Sequence, residues 1–133
     1  MAADEKVTEF KAVINQTTID DTVIESLFDL AANSLNIFGC NVPNMAGAAG
    51  SKTVTYTSPQ KGAIYQISRV VYASFYKNAS NQPTTNFGGI GLSNLDLMSN
   101  STVWNMIKDI ALELKGQEAT FPRIAFHLGQ AES

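Results

Sequence analysis

Asp20-Asp21-Thr22-Val23-Ile24-Glu25-Ser26-Leu27-Phe28-Asp29-Leu30-Ala31-Ala32-Asn33-Ser34-Leu35-Asn36-Ile37-Phe38 is the stretch whose reading decides the fold. Val23, Leu27, Leu30, Ala31, Ser34 and Leu35 recur at three- and four-residue spacing, which makes one buried stripe on a helix from about Asp21 to Phe38. Thr22 followed by Glu25 has the form of a capping box, and Asp20 and Asp21 suit the positive end of the helix dipole. Gly39 supplies a stop.

The same logic extends in both directions. Upstream, Val7 to Ile14 predicts a short first helix with Phe10, Val13 and Ile14 on one side. Downstream, residues 40–52 are punctuated by Pro43, Gly47 and Gly50 and read as a loop with a mobile tip. Thr53-Val54-Thr55-Tyr56-Thr57 alternates and is β-rich, so a short strand is expected. Ser58-Pro59 opens a third helix reaching about Lys77, with Ser58 as its cap. Its core face is Ala63, Ile64, Ile67, Val70, Val71, Ser74 and Phe75, flanked by Tyr65, Tyr72 and Tyr76.

Residues 78–95 form a long polar and glycine-rich connection, of the kind that is usually functional or disordered. Ser99 or Asn100 then caps a fourth helix over 101–115, with Val103, Ile107, Ile110, Ala111 and Leu114 as its stripe and Gly116 as its end. In the tail, Ile124, Phe126 and Leu128 alternate with Ala125 and His127, a strand signal. The expected fold is therefore mostly α. It is a small bundle of three to four helices with a short β element, divided into a helical domain (1–116) and an extended C-terminal arm (117–133).

Composition narrows the function classes. Apolar residues are 44 % of the 133 positions, enough for one modest core. Charged residues are only 16 %, against about 25 % in typical domains. Asn, Ser, Thr and Gln replace them. Such a surface suits partial coverage by other subunits, or simply a weakly charged monomer. The net charge of −3 and the lack of a Lys/Arg run argue against a phosphate-gripping nucleic-acid reader. No apolar run approaches the ~18 residues of a membrane span, and no membrane partner is expected. The polar, acidic start, Met1 to Lys6, is unlike a secretory signal. The single Cys40 excludes an internal disulfide and fits a reducing compartment.

No catalytic, cofactor-binding or metal constellation is expected, and the chain reads as a non-enzyme. Gly47-Ala48-Ala49-Gly50-Ser51-Lys52-Thr53 lacks the glycine a phosphate loop needs just before Lys-Thr, and it opens a strand rather than a helix. Gly88-Gly89-Ile90-Gly91 lacks the strand and helix of a dinucleotide turn. His127 and Cys40 cannot complete a zinc site without carboxylates. Cys40 follows a helix C-terminus, where a thiolate is disfavoured, and reads as a small buried filler. Asp20, Asp21 and Glu25 are explained by capping.

Three segments together resemble the head–tail connector (adaptor) proteins of long-tailed bacteriophages and related proviruses. Thr18 to Ala32 is similar to that family's opening, in which paired acidic residues precede an amphipathic helix ending in small residues. Gln60 to Lys77 is similar to its central helix, here with the aromatic end Tyr72-Ala73-Ser74-Phe75-Tyr76. Leu97-Met98-Ser99-Asn100-Ser101-Thr102-Val103 looks like its turn into a last helix. The long loop at 46–50 and the segment Phe121 to Leu128 depart from the usual form.

The resemblance implies a structural virion protein, assembled in the host cytoplasm and placed in the virion neck. There it would form a homo-oligomeric ring, commonly of about twelve subunits, beneath the portal. The ring would extend the channel for double-stranded DNA without sequence-specific binding, and dock a stopper or tail-completion protein. A stopper or tail-completion role, or a small helical protein-binding module, is the alternative. The expected interaction residues are Phe121, Ile124, Phe126 and Leu128 in the arm, with Phe87, Ile90 and Leu92 in the long connection. Such an apolar arm needs cover. One candidate is the chain's own β element beside Val54 and Tyr56. The other, favoured by the reach that Gln117 to Thr120 gives, is a neighbouring subunit or the portal, joined by strand addition.

Overall fold

The computed structural model describes the backbone of residues 4–76 and 94–130 and the side chains of residues 4–75 and 94–117. Five α-helices occur among them: α1 (Glu5–Val13), α2 (Asp21–Ile37), α3 (Ser58–Val71), α4 (Asn94–Met98) and α5 (Ser101–Gln130). A wider π-helical turn, Tyr72–Tyr76, extends α3. The architecture is mostly helical, as expected.

The helix ends follow local chemistry. Asp4 caps α1, and its carboxylate accepts from the Lys6 amide. Asp20 caps α2 by accepting from the Thr22 amide, so the cap lies two residues before the expected Thr22 box. Thr57 rather than Ser58 caps α3, in a reciprocal capping box with Gln60, and Pro59 sits in the first turn. Asn100 caps α5 by accepting from the Val103 amide. At the end of α2, Gly39 adopts φ +95°, while the Gly39 and Cys40 amides bond back to Asn36 and Leu35. This is a Schellman stop, at the glycine the sequence nominates. Asn15, at φ 58°, closes α1 in the same way, with its amide on Ala12 and that of Gln16 on Lys11.

The core lies where α2, α3 and α5 meet, with α1 laid across α2. Leu27, Ala31, Leu35, Ile64, Ile67, Val71, Val103, Ile107, Ala111 and Leu114 are buried. Leu30, Val70 and Ile110 are half-buried and pack against this core. Phe10, Phe28, Tyr56 and Tyr65 form an aromatic cluster around Phe28. Cys40 is buried, its thiol 3.5 Å from the Ala111 carbonyl oxygen. It fills space, as its place in the sequence suggests.

Two β expectations are corrected. Residues 53–57 make no strand. Their one ladder contact is an isolated antiparallel bridge between Ala46 and Thr53. The Val54 amide donates to the Asp4 carboxylate, and the Thr57 amide to the Gln60 side chain, so these donors are spent on side chains. The extended arm is not seen either. The α5 backbone continues helically past Gly116 to Gln130, because Gly116 does not take the left-handed conformation that ends α2 at Gly39.

Residues 40–52, read as a loop, are fastened along α2. Asn36 exchanges hydrogen bonds with both the amide and the carbonyl of Val42. Asn33 bonds the Asn44 side chain, and Asp29 accepts from the Met45 amide. Glu25 accepts from the Gly50 and Lys52 amides at 2.9 and 3.1 Å. These four α2 residues recur every three or four positions. They form a polar stripe that runs antiparallel to the segment it holds.

Asp4 ties the start of α1 to residue 54. Burial acts to raise its pKa, but hydrogen bonds from the Lys6 and Val54 amides and the nearby Lys6 ammonium outweigh it. The folded pKa is therefore below the ordinary 3.8. A depressed carboxylate contributes stability above its unfolded pKa and loses it as pH falls through the folded value. Asp4→Asn is expected to cost about 0.5–1.5 kcal/mol at neutral pH. It should also flatten the acid side of the stability curve below pH 3.8. Urea melts from pH 2 to pH 7, taken at roughly unit steps, check both effects.

Candidate protein-interaction surface

A groove runs between α3 and α5. The two helices run antiparallel. Pro59 and Gly62 lie abreast of Leu114 and Gln117 at one end, and Val70 and Ala73 lie abreast of Met106 at the other. Gln66 and Ile110 line both halves. The half near Val70 encloses about 520 Å³ and the half near Gly62 about 240 Å³. Val13 of α1 adds an apolar wall to the larger half, where it is 45 % exposed. The small residues Gly62 of α3 and Ala73 of the π-helical turn leave the space open.

This arrangement explains why Val70 and Ile110 are only half-buried. Each sits at the seam, with one side on the core and the other on the groove. Arg69 lines the larger half and Glu113 the smaller, and neither has an ion pair among the described residues. The groove thus offers an apolar floor in its larger half, a more polar smaller half, and one charge of each sign at its two ends, a surface that could seat a helix or peptide.

A second, more polar recess of about 240 Å³ lies among Glu5, Lys6, Glu9, Thr55, Tyr56 and Lys61. Its charges are largely matched internally. Lys61 pairs with Glu9 at 3.2 Å, and the Tyr65 hydroxyl donates to Glu9 at 2.6 Å. That hydrogen bond, then the Lys61 contact, lowers the Glu9 pKa. Burial, and next the Glu9 bond, push the Tyr65 hydroxyl upward. The buried Tyr56 hydroxyl has no hydrogen-bond partner among the described residues. Its pKa is raised by burial first and then by Asp29 and Asp4.

The sequence-nominated residues divide as follows. Phe121, Ile124, Phe126 and Leu128 lie on the helical backbone of α5, and their side chains fall outside the described residues. Phe87, Ile90 and Leu92 lie outside the described residues altogether. The groove residues Val13, Gln66, Arg69 and Met106 were not nominated. Their signal was weak: Val13 was read with Phe10 and Ile14 as the apolar side of α1, and Met106 lies off the α5 stripe.

The glycine loop that superficially resembled a phosphate cradle is accounted for. The amides of Gly50 and Lys52, which a phosphate cradle would turn toward its ligand, face the Glu25 carboxylate. The anion held there is the chain's own. Glu25 is 2 % exposed, so its role is anchoring, not the capping read from the sequence. Asp20 does cap, and Asp21 pairs with Lys11. Among the described residues, no group of three or more His, Cys, Asp and Glu side chains is placed to hold a metal ion. None of the helices there is long and apolar enough to cross a membrane. Comparison with protein-family models, with curated proteins and with solved structures finds no match to this chain.

Proposed function

We propose that this chain is a structural component of a virion neck, a head–tail connector that assembles as a ring beneath the portal. The observation that carries the reading is the placement of the three family-like segments. They fall on the start of α2, on α3 with its π-helical end, and on the turn into α5, and those helices pack around one core. The α3–α5 groove adds a face for a neighbouring protein. The low charge fits a wall between subunits, and a channel for sliding DNA has no need of a basic lining. In this reading residues 1–116 are the wall of the ring. Residues 117–133 are the arm that meets a neighbour, as a helix at least to Gln130 rather than as an added strand.

The test is electron cryo-microscopy of the particle that carries this chain. The expected result is a ring of about twelve copies between the portal and the next neck component. Density for the chain one tier lower would favour a stopper or tail-completion role, and a neck without this chain would end the proposal.

A further inference from the structure

We propose that the α3–α5 groove is the seat for residues 118–130 of a second copy of this chain. The inference deepens the ring reading, because it names the contact by which one subunit would hold the next.

Three observations carry it. The first is length. The groove runs from Pro59 to Ala73 along α3, fourteen helical steps or about 21 Å. Residues 118–130, helical in backbone, cover twelve such steps, about 18 Å. The second is pattern. Ile107, Ile110 and Leu114 stand at alternating three- and four-residue steps, and the sequence resumes the same beat at Phe121, Ile124 and Leu128. The first half of this series packs within the chain. The second half lies past the end of its antiparallel partner, since α3 begins at Ser58, abreast of Gln117. An apolar series on a helix calls for a surface to cover it, and α3 does not run alongside this half.

The third observation is charge. Arg69 and Glu113 stand at opposite ends of the groove, without ion pairs among the described residues. Residues 118–130 carry Glu118 at their start and Arg123 further on. Laid parallel to the host α5, the segment brings Glu118 to the Arg69 end and Arg123 toward Glu113. The contact joins two different surfaces, so it repeats head to tail and closes into a ring when the rotation allows.

The test uses two full-length variants and their mixture. Gly62→Arg fills the groove; a Cβ at this position meets nothing within 4 Å, so the fold accommodates it. Ile124→Asp spoils the arm. In analytical ultracentrifugation the native chain should associate as concentration rises toward about 1 mM, and each variant should associate roughly 30-fold or more weakly. An equimolar mixture retains one good groove and one good arm, and should form a dimer that grows no further. Gln66→Arg, at another exposed groove position, repeats the groove test independently. The proposal is overturned if the native chain stays monomeric throughout, if its assemblies survive these substitutions, or if both groove variants, mixed with the arm variant, remain monomeric. Those results leave a ring built through another face intact, whereas a neck lacking the chain would leave the mixing result standing.

Discussion

Replacing Phe28 by Ala is expected to lower stability by about 3–5 kcal/mol, among the largest losses available to a single side chain here. Phe28 is fully buried at the centre of the aromatic cluster. Its ring meets Phe10 edge-on at 5.5 Å, stacks on Tyr65 at 5.7 Å and meets Tyr56 edge-on at 6.4 Å. The substitution removes the transfer energy of a phenyl group and leaves a cavity. It also breaks three ring pairs, each worth about 0.5–1.5 kcal/mol beyond buried area. These rings come from α1, α2, α3 and the segment before α3, so collapse around the cavity is restricted on every side. Phe28→Leu keeps most of the volume and should cost roughly half as much. Urea unfolding checks the pair. A loss under about 1 kcal/mol for Phe28→Ala would mean that the cluster does not hold α1 and α3 to α2.

Phe28 also shows how far the fold was legible. The three-and-four spacing of α2 was plain, but the stripe chosen was too narrow. Ile24 and Phe28 are as buried as Leu27 and Leu35, because α2 packs against α1, α3, α4 and α5 together and residues 42–52 are fastened along it. A one-sided stripe is the right expectation for a helix with one partner, and α2 has several. The stop at Gly39 was legible because a left-handed glycine is a local property. The course of residues 117–130 was not. Ile124, Phe126 and Leu128 fit a period of two, while Phe121, Ile124 and Leu128 fit a helix equally well. Gly116, taken as a helix end, tipped the reading toward an extended arm. Glycine costs a helix only about 1 kcal/mol, and it ends one only when its backbone turns left-handed. The groove was hidden for a different reason. It is made by what α3 and its π-helical end lack, at Gly62 and Ala73, and small side chains leave no periodic mark.

Glu25→Ala is expected to cost about 2–4 kcal/mol, a large effect for a polar side chain. Glu25 sits on α2 at 2 % exposure, and both its oxygens are engaged, Oε1 with the Gly50 amide and Oε2 with the Lys52 amide. Truncation to Ala takes the acceptor from two amides at once. Hydrogen bonds to a charged acceptor contribute about 1.5–3 kcal/mol each, and an amide left unpaired away from water adds a penalty of similar size. Two features limit the damage. The segment is partly open to solvent, so water can reach some of the freed groups, and the Asp29–Met45 and Asn36–Val42 fastenings remain. Glu25→Gln keeps one carbonyl acceptor but turns its NH2 toward a donor, so it should recover no more than about half of the loss. Hydrogen exchange separates this from general destabilisation. The amides of Gly50 and Lys52 should lose protection in both variants, while that of Met45, held by Asp29, keeps its own. Glu113→Ala, on the exposed face of α5, is the matched control and should change neither melting nor exchange at these amides. If Glu25→Ala melted like the native chain, residues 46–53 would be held by the Ala46–Thr53 bridge alone. The polar stripe of α2 would then be a consequence of the fold rather than one of its causes.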